Sequence, residues 1–157
     1  MLIEHRPALD PELSALVIAQ QRELREAGAG RDDVISATHD GVTCLVAVVG
    51  GRAVGCGAWR PLALPGEPGA ETGVAEIKRM FVRPSFRRRG IARQLVVALE
   101  EDVLAAGHRT IRLETGVYLP SAIGLYRSVG YHPIPAYGEY AGNPVSRCFE
   151  KHLAVLV

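Results

Sequence analysis

The stretch from Ile77 to Leu99 carries seven basic residues and no acidic one, and its parts follow a fixed order. An apolar run at 74–82 ends before Pro84. Arg87-Arg88-Arg89-Gly90 follows, and then Ile91, Ala92, Leu95, Val96, Leu99 and Val103 recur at helical spacing. Glu100, Glu101 and Asp102 fall on or near the opposite face, and Gly107 is a natural stop. A strand therefore feeds a glycine-broken turn, and the turn feeds an amphipathic helix over 88–106. That unit excludes all-α and all-β folds. The first amides of a helix have no internal acceptor and carry the positive end of its dipole. With Gly90 bare and Ala92 small, a diphosphate can approach the main chain there, and the arginines add charge-assisted bonds. The alternative is a solvated helix end. The P-loop pattern GxxxxGK[ST] is absent, so ATP hydrolysis is not expected.

The charge is local. The whole chain has 18 basic and 17 acidic residues, so the rest of it is acidic. This favours a confined anion site over a broad nucleic-acid face. A length of 157 residues with 48% hydrophobic and 22% charged residues suits one globular domain, 1–157. Three widely spaced cysteines (Cys44, Cys56, Cys148) imply neither a disulfide framework nor a CxxC metal site. No eighteen-residue apolar run exists, and acidic residues and Pro7 come too early for a signal peptide. The expectation is a cytoplasmic protein with reduced thiols, no resident metal and no membrane or nucleic-acid partner.

The remaining pattern supplies the other elements. Residues 2–6 read as a strand. Asp10-Pro11 is a cap followed by a first-turn proline, and Leu13, Leu16, Val17, Gln20 and Leu24 line one face of a helix ending at Gly28. A short helix is possible near 33–38. Strands are expected at 43–49 and 53–60 around a Gly50-Gly51 turn, with an exposed loop at 61–73. Further strands fall at 110–115, 131–134 and 145–153. A short helix opens at Pro120, carries Ala122, Leu125, Tyr126 and Val129 on one face, and closes at Gly130. Early hairpin and late strand–helix alternation indicate a mixed sheet with helices on both faces.

Arg87-Arg88-Arg89-Gly90-Ile91-Ala92 matches the pattern Q/R-x-x-G-x-G/A, and the run from Ala122 to Tyr131 matches A-x-x-L-Y-x-x-x-G-[FY]. In these residues the chain resembles the GNAT superfamily of acyl-CoA-dependent N-acyltransferases, closely over about 74–131. The resemblance implies an α/β (α+β mixed) fold. Its central, mostly antiparallel sheet has six to seven strands and is splayed between strands 4 and 5. It also implies acetyl-CoA as cosubstrate and N-acetyl transfer to a primary amine, most simply of a small molecule, by direct attack in a ternary complex. Pantetheine would lie along the main chain of Met80, Phe81 and Val82. The backbone and side chains of Arg87, Arg88, Arg89, Gly90, Ile91, Ala92 and Arg93 would hold the phosphates.

Two residues are the implied catalysts. Tyr126 would protonate the departing thiolate; otherwise it is an aromatic packed on the sheet. Glu76, in Ala75-Glu76-Ile77, would take the proton of the ammonium; otherwise it is an ion-paired glutamate beside Lys78. Many relatives carry Asn or Gln before the short helix, where this chain has Leu119, and Ser121 is the residue able to replace that contact in part. The acceptor is expected between 28–40 and 135–144, with Tyr137, Glu139 and Tyr140 as lining. His39 and His132 read as surface or capping residues and Cys148 as core. Two other classes remain open: a non-catalytic CoA-binding module of the same fold, and a nucleic-acid-binding domain using the arginines. The chain is expected to be a monomer or homodimer.

Overall fold

Strand pairing starts from a tight turn. Gly50 and Gly51 have φ of 58° and 79°, and a two-residue turn of that hand matches the twist of the strands it joins. In this computed structural model, which describes residues 1–28, 41–62 and 73–154, the turn connects β2 (Thr43–Val49) to β3 (Arg52–Pro61). With β1 (Leu2–Arg6) and β4 (Val74–Val82) they form an antiparallel meander. The strand β5 (Thr110–Gly116) joins β4 in parallel, and β7 (Ser146–His152) inserts between β5 and the short β6 (His132–Ile134). The seven-stranded order is β1-β2-β3-β4-β5-β7-β6. It is a mixed α/β fold with one parallel pair in an otherwise antiparallel sheet.

Alternation in β2 and β3 shows how both faces are covered. Leu45, Ala47, Val54 and Trp59 point into a core shared with α2 (Ile91–Ala105) and α3 (Pro120–Ser128). Cys44, Val46, Ala53, Cys56 and Ala58 point the other way, against Leu13 and Leu16 of α1 (Pro11–Glu26). Burial on both faces explains why these strands read as nearly continuous apolar runs. The Asp10 carboxylate caps α1 by accepting from the Leu13 amide at 3.0 Å, with Pro11 in the first turn.

The expected helix at 88–106 begins three residues later. Arg88 and Gly90 both have left-handed backbones, with φ of 65° and 77°, so regular helix starts only at Ile91. Other elements differ from their sequence expectation by about a residue at an end. The possible helix near 33–38, His39, most of the 28–40 segment and most of the 61–73 loop lie outside the described residues.

β4 and β5 stay together only from Val74↔Thr110 to Ile77↔Leu113, although both strands continue. The cause lies on the other side of β4. Lys78 pairs with Ala58 and Phe81 with Cys56, so β4 carries one residue more than β3 in that step. The bulge holds Arg79 at φ 59°, costly for a non-glycine residue, and bends β4 away from β5. Its carbonyls are not left bare. The Cys56 thiol donates to the Arg79 carbonyl at 3.3 Å, and the Gln20 side-chain amide donates to the Met80 carbonyl at 3.0 Å. Burial pushes the Cys56 thiol up to about 12, with the neighbouring Cys44 adding to the shift, so Cys56 remains a donor.

Candidate active site

Where the two strands part, a pocket opens. It is lined by the β4 residues Ile77 to Met80, by Glu114, Thr115 and Gly116 at the end of β5, and by Tyr118, Leu119, Ala122 and Tyr126 leading into α3. Gln20, Gln21 and Leu24 of α1 close one side, and Tyr140, on a 3-10 turn between β6 and β7, reaches another.

Tyr126 enters the pocket from α3. It is 6% exposed, and its ring meets Tyr131 edge to face at 5.9 Å between centroids. The Tyr131 hydroxyl donates to Glu100 at 3.2 Å; the Tyr126 hydroxyl bonds to no protein group among the described residues. Burial, and secondarily the Glu114 carboxylate, push its phenol above the ordinary tyrosine range, so it stays protonated at neutral pH.

Glu76 is 1% exposed and fully engaged. Its Oε1 accepts from Arg60 Nε at 3.0 Å and lies 3.6 Å from Lys78 Nζ; its Oε2 accepts from the Tyr137 hydroxyl at 2.6 Å. Burial and the Glu76 charge in turn hold the Tyr137 phenol protonated. Arg60 and Lys78 line the pocket, whereas Glu76 supports them from behind. The carboxylate that does line it is Glu114, one residue beyond the last β4–β5 pair, held by the Ser146 hydroxyl at 2.6 Å. Sequence reasoning missed Glu114. No local signal marks it, because its place immediately after Leu113, where parallel pairing ends, is set by strand register. Of the acceptor candidates, Tyr140 lines the pocket, Tyr137 is buried on Glu76, and Glu139 is exposed outside it.

The entrance to α2 is open. Among the described residues no backbone carbonyl or side-chain cap takes the amides of residues 88–93, and the first helical bond runs from the Gln94 amide to the Gly90 carbonyl at 3.1 Å. A Cβ at Gly90 would meet no atom within 4 Å, so there is room in front of the turn. These features fit a diphosphate. The arginines divide. Arg87 braces the turn, donating to the Val82 carbonyl at 2.8 Å and to Glu23 at 2.6 Å while lying over Phe81. Arg89 donates to the Ser85 carbonyl and stacks over Phe86; Arg93 donates to Ser128 Oγ at 3.0 Å. Arg88 is exposed on its left-handed backbone. Ile91 is buried in the core and Ala92 packs against it.

The β4 candidates also divide. Met80 lines the pocket. Phe81 and Val82 are buried and paired with Cys56 and Gly55 of β3, and the Val82 carbonyl already accepts from Arg87. Ser121 is exposed in the first turn of α3, and Leu119, at the cap position, makes no side-chain capping bond.

The model of the acetyltransferase (GNAT) family matches residues 11–131. The chain belongs to the GNAT family. The chain is 41% identical over 109 residues to an IAA acetyltransferase of Azospirillum brasilense, covering 69% of this acetyltransferase and 67% of that one. A structure from Klebsiella pneumoniae, of a protein assigned to the acyl-CoA N-acyltransferases, aligns with a TM-score of 0.80 at 28% identity over 98% of this chain and 97% of that one. An aminoglycoside 6'-N-acetyltransferase complexed with coenzyme A aligns with a TM-score of 0.68 at 18% identity over 100% and 99% of the two chains, a likeness of fold alone. The protein is therefore an acetyl-CoA-dependent acyltransferase with the GNAT fold. Among the described residues no helix is long and apolar enough to cross a membrane.

Proposed function

We propose that this acetyltransferase transfers an acetyl group from acetyl-CoA to the primary amine of a small molecule, by direct attack in a ternary complex. The observation that carries this reading is the cleft beyond Ile77 and Leu113, where the unpartnered Tyr126 hydroxyl and the Glu114 carboxylate share one pocket. The relative named for IAA supports a small molecule as the acceptor class.

Acetyl-CoA supplies the thioester carbonyl and a thiolate leaving group. The amides of 88–93 face its diphosphate, with Arg88 added, while Arg87, Arg89 and Arg93 shape the turn through their own contacts. The Met80 segment borders the gap into which the pantetheine arm extends. Glu114 attracts the acceptor ammonium and takes its surplus proton directly or through water, freeing the nitrogen lone pair for attack on the carbonyl carbon. As the tetrahedral adduct collapses and the C–S bond breaks, Tyr126 passes its phenolic proton to the developing thiolate, which leaves as the thiol, and the second proton given up by the acylated nitrogen restores the phenol. Holding both reactants in one cleft supplies much of the acceleration. Glu76 acts as a positioning residue, fixing Arg60 and Lys78 at the pocket wall and Tyr137 behind it.

The test is thiol release from acetyl-CoA across a panel of amines, beside a thermal-shift titration with coenzyme A. Release with a subset of small amines is expected. Glu114→Gln should lower kcat by about 10²-fold, most severely at low pH, where the acceptor is held as the ammonium. Glu76→Gln should instead lower Tm and leave the shape of the pH–rate profile intact. A thermal shift with no thiol release from any amine would replace this reading with a CoA-binding module, the outcome that the uncapped Leu119 favours.

A further inference from the structure

At the outer edge of the sheet three ligand-bearing side chains converge, away from the acyl-transfer pocket. Register sets His132 of β6 opposite Glu150 of β7, and His152 follows two residues on, so all three emerge on one face. His152 Nε2 lies 3.1 Å and His132 Nε2 4.0 Å from the same oxygen, Glu150 Oε1. The three ligand atoms all fall within 4.8 Å of one another. A tetrahedral ion with bonds of about 2.0–2.1 Å spaces its ligands roughly 3.3 Å apart, so small side-chain rotations close the set. The two side chains are 53% and 69% exposed, which leaves an entry path.

The surroundings orient each ligand. Arg112 Nε donates to Glu150 Oε2 at 2.8 Å, which turns Oε1 toward the imidazoles. His152 Nδ1 is 3.1 Å from Thr110 Oγ1. That hydroxyl accepts from Nδ1–H when the Nε2 lone pair is committed to a metal, and donates to Nδ1 when Nε2 carries the proton. Without an ion, the arrangement is two imidazoles against one carboxylate already paired with an arginine.

We propose that His132, Glu150 and His152 bind one divalent transition-metal ion of the zinc, cobalt or nickel class, with solvent completing the shell. Two imidazoles and a carboxylate, with no thiolate, suit these ions better than magnesium, calcium or cuprous copper. The ion ties the three-residue β6 to β7. The segment between those strands carries Tyr137 on Glu76 and Tyr140 at the pocket, so the metal steadies the loop that faces the acceptor.

The test titrates Zn²⁺ calorimetrically into the full chain, free of any histidine tag and stripped with EDTA. One equivalent with a micromolar or tighter Kd is expected. Co²⁺ in its place should give visible d–d absorption without thiolate charge transfer. His132→Asn, His152→Asn and Glu150→Gln should each weaken Zn²⁺ binding by about tenfold or more, and Thr110→Val by a smaller factor. His5→Asn, remote on β1, should leave it unchanged. Zn²⁺ should raise the Tm of the parent protein and not that of the His132→Asn/His152→Asn double variant. Unchanged affinity in that variant, with its metal-free Tm equal to the parent's, overturns the proposal. So does thiolate charge transfer with Co²⁺, or the absence of saturable binding.

Discussion

Tyr126 and Tyr131 stack edge to face but differ in what their hydroxyls do, and the difference separates catalysis from stability. Tyr131 donates to Glu100, whose carboxylate also holds Lys151 at 2.9 Å. Tyr131→Phe deletes a hydrogen bond to a charged, mostly buried acceptor, which costs about 1–2 kcal/mol once the surviving lysine contact is allowed for. In a chain of this length that lowers Tm by roughly 2–8 °C. Tyr126→Phe keeps the ring contact and deletes a hydroxyl with no protein partner, so Tm should change by less than about 1 °C. In the proposed reaction the same hydroxyl faces a developing thiolate, where a charge-assisted bond is worth about 1.5–3 kcal/mol, or roughly 10- to 150-fold in kcat. The assay is thiol release at saturating acetyl-CoA and amine, with thermal melts of the same preparations. Tyr126→Phe should lose rate at unchanged Tm and unchanged KM for acetyl-CoA; Tyr131→Phe should lose Tm at unchanged kcat. A Tyr126→Phe enzyme within twofold of the parent kcat, or one whose Tm falls as far as that of Tyr131→Phe, refutes the assignment.

Gly90→Ala puts a Cβ on a backbone at φ 77° without a steric clash, so the cost is conformational, about 1–2 kcal/mol. If the turn relaxes to escape that strain, the unclaimed amides splay and KM for acetyl-CoA should rise several-fold with kcat preserved, as steady-state kinetics would show. The tyrosines set the alkaline limit of stability. Burial, reinforced by nearby carboxylates, raises Tyr126, Tyr131, Tyr137 and Tyr140 in the fold, so above about pH 10 the unfolded chain loses phenolic protons that the native state keeps. Their stabilisation is complete below that pH and falls as pH rises further. Denaturant midpoints measured from pH 8 to 11 should be flat and then drop, and Tyr137→Phe should soften the drop.

The parts of the site that were legible in the sequence are those built from neighbouring residues. Gly90 after three arginines marks a helix entrance, and Leu125-Tyr126 at helical spacing marks a face, because turn chemistry and periodicity act over a few residues. What was not legible is assembled by register. Arg60, Glu76, Arg112 and Glu150 form one transverse row of alternating charge across β3, β4, β5 and β7, continued by the His132 imidazole on β6, each aligned with the next by strand pairing. Local pattern assigns each of them a face but not a neighbour, and no spacing in the chain indicates that β7 enters between β5 and β6. That insertion brings Ser146 to Glu114 and, through the loop before β7, Tyr137 to Glu76. The bulge at Arg79 is hidden for a related reason. No glycine in β4 announces it, and it is held by donors distant in sequence, Cys56 on β3 to the carbonyl of the left-handed Arg79 and Gln20 on α1 to that of Met80. The splay that makes the cleft therefore depends on α1 and β3 as much as on the two strands that part. A sequence motif confined to β4, the arginine turn and α3 identifies the family while leaving the origin of its cleft, and the carboxylate inside it, to the tertiary fold.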